Sequence, residues 1–202
     1  NEFEYFTGVT SLTTSAFSSC SSLKAIKFPS SVTGIGVQAF YNCSALEGDL
    51  LLDNETTIGH NAFNGCKKLT SVYAPVLGSI PQDGFRYCSG LQSVELGNVV
   101  TSIGIRGLRD CTGLQKIIVR AATPPTLGAD ALTSTNSCPI YVPDASLEAY
   151  KTAVNWSAYA DRIHPLSEIE DYYISDALLM HLDGINKGNV EGEWQDLVSG
   201  NT

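Results

Sequence analysis

Apolar and polar positions alternate along this chain in a pattern that returns about every 23 residues. Leu23-x-x-Ile26-x-Phe28 has the two-residue alternation of a strand with one buried face, and Pro29-Ser30-Ser31 ends it, because proline cannot donate to a ladder. Val32-x-x-Ile35-Gly36 then leads into Ala39-Phe40-x-x-Cys43-x-x-Leu46. That last phrase also stands upstream as Ala16-Phe17-x-x-Cys20-x-x-Leu23 and downstream as Ala62-Phe63-x-x-Cys66-x-x-Leu69. Looser copies are Gly84-Phe85-x-x-Cys88-x-x-Leu91 and Gly107-Leu108-x-x-Cys111-x-x-Leu114. The cysteines at 20, 43, 66, 88 and 111 step by 23, 23, 22 and 23, a spacing that belongs to stacked repeat units.

Each unit is expected to contribute one strand to a parallel sheet, with inward pairs Ile26/Phe28, Leu50/Leu52, Val72/Ala74, Val94/Leu96, Ile117/Val119 and Ile140/Val142. Gly48-Asp49 displaces the second pair by one residue, and the following turn restores the register, since Ile58 lies 23 after Ile35. The Phe-x-x-Cys corner is expected to be a short helical turn. Such units cannot stand alone. Burying one Phe contributes on the order of 1.5–3 kcal/mol, whereas fixing each of the roughly 23 backbone residues costs about 1–2 kcal/mol, so stability has to come from neighbour-to-neighbour stacking. Residues 3–12 overlay on 26–35, which makes the first unit the second half of an incomplete one and suggests a fragment or processed form.

The period is expected to break at Ala121-x-x-Pro124-Pro125-x-Leu127. Pro139-Ile140-Tyr141-Val142-Pro143 reads as a last strand, and Asp144 as the N-cap of a helix through Val154. Tyr150, Val154 and Trp156 are expected to lie over the open end of the stack. The domain reading is therefore repeats over 1–138, a closing cap over 139–166, a linker over 167–175 and a new module over 176–202.

The run Cys20-x-x-Leu23-x-x-Ile26-x-Phe28-Pro29-x-x-Val32-x-x-Ile35-Gly36-x-x-Ala39-Phe40 resembles the BspA-type leucine-rich repeat, over roughly residues 3–138. Departures are Asp53 in a favoured proline place, Pro81 in place of the Gly after Ile, and Leu108 for the Phe. The resemblance implies a right-handed leucine-rich repeat solenoid of α/β type, with a parallel sheet on the concave face and a C-terminal helical cap. It also implies a bacterial cell-surface or secreted protein, in a family some of whose members adhere to host matrix proteins or glycoproteins. Residues 176–202, with Leu178, Met180, Leu182 and Trp194, resemble the opening strands of a concanavalin-like or laminin-G-like jelly roll.

Composition narrows the partners. The 202 residues carry 12 Lys and Arg against 21 Asp and Glu, a net charge of −9, and this lacks the clustered basic face that nucleic acid requires. No apolar run is long enough for a transmembrane helix. Five of the six cysteines share one repeat position and are read as a buried column of free thiols, although rungs about 4.8 Å apart leave pairing sterically conceivable. No Cys-x-x-Cys pair points to a metal, and no cofactor is expected. Gly34-x-Gly36-x-x-Ala39 matches a dinucleotide fingerprint only in letters, because Ile-Gly-x-x-Ala is part of the repeat and returns at Ile58-Gly59-x-x-Ala62. His60, His164 and His181 fall in different units, with no Ser or Cys positioned to use them as a base. Glu191 and Glu193 read as a solvated turn. Three glycosylation-type sequons, at Asn42, Asn54 and Asn155, carry no weight in a bacterial chain.

One set of residues remains. If the strand pairs point inward, the residues between them form an outward column of Lys27, Leu51, Tyr73, Glu95, Ile118 and Tyr141, with apolar or amphipathic groups where a passive spacer would be polar. Solenoids bind through such sheet faces, and strand propensity alone would also place Tyr and Ile there. The expectation is a non-enzymatic adhesion module that binds a host or matrix protein or a carbohydrate-bearing partner through these candidates. The alternatives are a structural stalk that presents a downstream lectin-like domain, and a downstream domain that acts on glycans.

Overall fold

The computed structural model describes residues 8–52 and 56–169. Residues up to Leu166 belong to one compact unit, and the chain from Ser167 onward is assigned to a second. The expected jelly-roll start, His181, Glu191 and Glu193 lie outside the described residues, as do Asp53 and Asn54.

Within the first unit, each repeat makes one coil of a parallel β-solenoid. Strands appear in chain order as β1 (Ser11–Leu12), β2 (Gly34–Ile35), β3 (Glu47–Leu51), β4 (Thr57–Ile58), β5 (Lys68–Ala74), β6 (Ser79–Ile80), β7 (Ser93–Leu96), β8 (Ser102–Ile103), β9 (Lys116–Val119), β10 (Thr126–Leu127), β11 (Ile140–Val142) and β12 (Ile163–Pro165). The longer strands form one six-stranded parallel sheet in the order β12-β11-β9-β7-β5-β3. The two-residue strands form ladders of their own, β1-β2-β4 and β6-β8-β10. This second side comes from the Val-x-x-Ile half of each unit, whose Leu12, Ile35, Ile58, Ile80, Ile103 and Leu127 all point into the core.

The first expected strand does not form. Residues 23–29 belong to no strand, although Glu47 N–H of β3 donates to Lys24 O at 2.8 Å; Ile26 and Phe28 are only partly buried, and Lys27 is exposed and joins no ladder. In the next coil Gly48 has a left-handed φ of +86°, and the register between β3 and β5 shifts between it and Asp49. Gly48 faces Leu69 and Asp49 faces Ser71, so Thr70 of β5 is passed over and the offset is absorbed within the sheet rather than by the turn alone.

The Phe-x-x-Cys corner is not helical. It is a run of consecutive turns in which N–H groups alternate between two uses. The N–H groups of Ala39, Tyr41 and Cys43 donate back to Gly36, Gln38 and Phe40 within the coil, while those of Gln38, Phe40 and Asn42 donate to the carbonyls of His60, Ala62 and Asn64 in the next coil. A left-handed residue stands at each end of this corner: Ser15, Gln38, Asn61, Asp83, Arg106 and Asp130 at one, Ser19, Asn42, Gly65, Tyr87, Asp110 and Ser134 at the other. Asn, Asp, Ser and Gly fill most of these places, because they tolerate that conformation best.

The corner side chains stack in register. The rings of Phe17, Phe40, Phe63 and Phe85 lie nearly parallel, with centroids 5.3, 5.1 and 5.3 Å apart, and Leu108 and Leu132 continue the column. The thiols of Cys43, Cys66, Cys88 and Cys111 donate to the carbonyls of Phe17, Phe40, Phe63 and Phe85 in the preceding coil, at 3.0, 3.2, 3.1 and 3.1 Å. All six cysteines are free, and Cys20, expected to be buried with them, is exposed at the end of the column. The repeat also runs on past the paired prolines. Thr135, 24 residues after Cys111, takes the cysteine place and is 1% exposed, and Cys138 takes the place of the repeat leucine. Close stacking dictates glycine after the short strands: a Cβ on Gly59 would stand 2.5 Å from the Val37 nitrogen, and one on Gly104 2.7 Å from that of Gln82.

After β11 comes a 3-10 turn (Asp144–Ser146), then α1 (Leu147–Thr152) and a 3-10 helix (Ser157–Arg162). Asp144 sits in the first turn and Pro143 at the N-cap, so the expected carboxylate cap is not made. Tyr150 and Trp156 are buried, with Tyr150 Oη donating to Ala121 O and Trp156 Nε1 to Pro125 O, both at 2.7 Å. Val154, expected beside them, is 82% exposed.

Two outcomes follow from this packing. Phe40→Ala should cost about 3–5 kcal/mol of unfolding free energy, because rings on both sides hold the cavity open. Phe17→Ala, with a half-buried ring nearer the end, should cost less, and equal losses on chemical denaturation would contradict the stacking. Alkylation of the folded, unreduced protein should label Cys20 readily and leave Cys43, Cys66, Cys88 and Cys111 unmodified until unfolding, as mass spectrometry would show.

Candidate functional site

Parallel pairing aligns the outward residues of the six-stranded sheet into one row. The ladder runs Leu51 to Tyr73, Tyr73 to Glu95, Glu95 to Ile118, Ile118 to Tyr141, and Tyr141 to His164. Five of the six residues read from the sequence are thus brought together and Lys27 is not. His164 joins at the end, its ring 5.9 Å from that of Tyr141. The sequence signal for His164 was the short Ile163–Pro165 pattern, which repeats the buried-outward alternation of Ile140–Val142.

The row is uneven. Leu51 is 50% and Tyr73 44% exposed, Glu95 and Tyr141 are half-buried, and Ile118, expected to be outward and open, is only 4% exposed. Its neighbours explain this. Ile118 lies between Glu95 and Tyr141 on the ladder, and Arg120, two residues along the same face, donates from Nε to Glu95 Oε1 at 2.7 Å. The row is therefore two tyrosines three coils apart, about 14 Å at the usual strand spacing, with an ion pair and a covered isoleucine between them. Alongside runs Asp49, Ser71, Ser93 and Lys116. Asp49 accepts from Ser71 Oγ at 2.6 Å and Thr70 Oγ1 at 2.9 Å, and these bonds hold its carboxyl below the ordinary range.

The corner side carries a second group that sequence reading passed over. Asp83, almost fully buried, accepts a two-pronged bond from Arg106, Nε to Oδ1 at 2.8 Å and Nη2 to Oδ2 at 2.7 Å. Arg86 reaches Asp83 and Asp110 at 3.5 and 3.6 Å, and Arg109 reaches Asp110 and Asp130 at 3.4 and 3.0 Å. Three arginines and three aspartates thus neutralise one another along the left-handed ridge. The signal was the Asp83, Arg106, Asp130 spacing of one repeat. Burial pushes the thiols of Cys43, Cys66 and Cys88 up, so they stay protonated at neutral pH. Among the described residues no cluster of three or more His, Cys, Asp or Glu could hold a metal ion.

With this geometry in place, comparison with known proteins is informative. The chain matches the family model described as BspA type Leucine rich repeat region, in six copies, over residues 1–76 and 56–150. It is similar to the crystal structure of a leucine-rich repeat protein from Bacteroides ovatus ATCC 8483, with a TM-score of 0.53 and 22% identity, over 78% of this chain and 45% of that one. It is also similar to a leucine rich cell surface protein from Faecalibacterium prausnitzii A2-165, with a TM-score of 0.49 and 26% identity, over 66% of this chain and 43% of the other. The chain thus spans less than half the length of either. No curated protein matches it.

The Asp83 pair makes a pH prediction. Hydrogen bonds from Arg106 hold the Asp83 carboxyl below its ordinary value. A carboxyl depressed on folding contributes stability that is present above its unfolded pKa of about 3.9 and is lost as pH falls through the lower folded value. Asp83→Asn should therefore be less stable than the parent at pH 6, and the gap should narrow between about pH 4 and pH 2 in denaturation midpoints.

Proposed function

Because this chain belongs to the BspA-type leucine-rich repeat family, we propose that it is a non-catalytic binding module of a bacterial surface or secreted protein. In this reading it engages a host or matrix protein, or a glycoconjugate, through the outward face of its six-stranded sheet, and nucleic acid is not a partner. The observation that carries the reading is the continuous ladder row in which Leu51 and Tyr73 stand exposed beside one another and Tyr141 follows three coils on. Tyrosine offers a large contact area at low rotamer cost and is enriched among residues that dominate interface energies. The Glu95–Arg120 pair between the tyrosines supplies polar complementarity and register rather than most of the affinity. The helical segment 144–162 is read in the same proposal as the closing cap of the array, supported by the bonds from Tyr150, Asn155 and Trp156 to carbonyls of the last full coil.

Tyr73→Ala and Tyr141→Ala should each weaken binding to an immobilised matrix protein or mucin-type glycoprotein by about 2 kcal/mol or more. Neither should move the unfolding midpoint much, since both side chains point away from the core. Moderate salt should change the affinity little, because apolar contacts are not screened as exposed charges are. Undiminished binding by the double variant in a surface-plasmon-resonance titration would leave the chain as a stalk for whatever follows it.

A further inference from the structure

The coil 130–137 departs from the others in one place. Every coil has two left-handed residues at its corner, but this one adds Asn136 and Ser137, at φ of 55° and 49°, to Asp130 and Ser134. Non-glycine residues pay about 1–2 kcal/mol each to sit there, and the extra pair is not demanded by stacking, since the other coils stack without it. Beside this pair lies an open groove of about 670 Å³ lined by Ser134, Thr135, Asn136, Ser137, Tyr159 and Arg162.

The chemistry of the groove is specific. Its cation is Arg162, half-buried, whose Nε donates to Cys138 O at 2.8 Å and whose Nη2 donates to Thr135 Oγ1 at 3.0 Å. Thr135 in turn donates its one O–H to Leu132 O at 2.8 Å, which turns an oxygen lone pair toward Arg162. These bonds fix the guanidinium plane from behind, while Nη1 makes no hydrogen bond to any described residue. Among the described residues no carboxylate lies within ion-pair distance of Arg162, in contrast to Arg86, Arg106 and Arg109 on the same side, each of which has one. The nearest acid of the coil, Asp130, is already taken by Arg109 at 3.0 Å. The Arg162 guanidinium carbon lies over the Tyr159 ring, 5.3 Å from its centroid, and this contact with a ring that packs against the core helps to hold the cation in place. Ser134, Asn136 and Ser137 also line the groove, and the Asn136 amide nitrogen donates to Leu114 O at 3.5 Å.

A fixed guanidinium with no carboxylate partner among the described residues, set in a groove rimmed by hydroxyl groups, fits a ring that carries a carboxylate and several hydroxyls. We propose that this groove binds a carboxylate-bearing sugar, either a hexuronate or a sialic acid, with Arg162 taking the carboxylate and the polar rim of Ser134 and Ser137 facing the sugar hydroxyls. The site is separate from the sheet face, so either can fail while the other stands.

The test is an NMR titration of the whole chain with methyl glucuronide, methyl sialoside and, as the neutral counterpart, methyl glucoside. At least one of the two acidic sugars should bind, with shifts centred on the amides of 133–137 and 159–162, and methyl glucoside should bind roughly tenfold or more weakly for want of the charged pair. Arg162→Met should weaken the acidic sugar by about the same factor. Thr133→Trp, which places an indole in the groove that Thr133 lines, should abolish binding and keep the parent's melting temperature. The two acidic ligands tell the sources apart. Binding of neither acidic sugar, equal binding of methyl glucoside, or parent-like binding by Thr133→Trp would each overturn the proposal. If Arg162→Met does not fold, the comparison of acidic and neutral sugars on the parent protein decides.

Discussion

Backbone hydrogen bonding between coils is the constraint on which the rest of this structure depends. In the sheet, in the two-residue ladders and at the corner, donors of one coil find acceptors in the next, so a large part of a coil's polar backbone is satisfied by its neighbours and the rest by turns within the coil. That bonding holds the coils at about the strand spacing of 4.8 Å. At that distance the same side chain in successive coils must touch itself, which selects flat rings that stack, small thiols that reach one carbonyl back, and glycine wherever backbone crosses backbone. The hydrophobic column and the polar ladder are two readings of one spacing.

The division of labour between inside and outside follows from it. Inward positions have no freedom, because each is gripped from two sides. Phe63 between Phe40 and Phe85 and Cys66 under the Phe40 carbonyl show this directly. Outward positions are brought into rows by the same register but are not required to be alike, so Leu51, Tyr73, Glu95 and Tyr141 can vary while the frame beneath them stays the same. The corner ridge shows the intermediate case. Its left-handed residues are set by the turns, and their side chains are then free to form the Asp83–Arg106 and Arg109–Asp130 pairs or, in the coil 130–137, to line a groove.

Much of this was legible in the sequence because the repeat writes each inward position several times. The Phe and Cys columns, the inward strand pairs and the outward row could be read from spacing alone. Three things could not. The 23–29 stretch forms no strand although it alternates, and the one-residue insertion at Gly48-Asp49 does not say where it will be absorbed, which is in a register shift that passes over Thr70. Ile118 looked exposed because alternation gives direction and not cover, and the cover comes from Arg120 reaching across to Glu95. The corner looked helical because apolar residues three apart fit a helix, whereas the Asn, Asp, Ser and Gly columns one and five places before each cysteine, which mark left-handed turns, were passed over. The groove at Arg162 was hidden for a related reason: Thr135 stands where the cysteine should be, so the repeat seemed to have ended.

The direction of the corner bonds has a mechanical side. Phe N–H groups reach forward to the next coil and cysteine thiols reach back to the one before, so both sets run along the stack. A pull along that direction loads the interfaces in series, and the weakest yields before its neighbours feel more than the shared tension. A coil that lets go releases about 23 residues, which extend to roughly 80 Å at full stretch, in place of a rise of about 4.8 Å. An array built this way would lengthen under tension in coil-sized steps, absorbing work at each step while the coils still closed keep their outward rows intact.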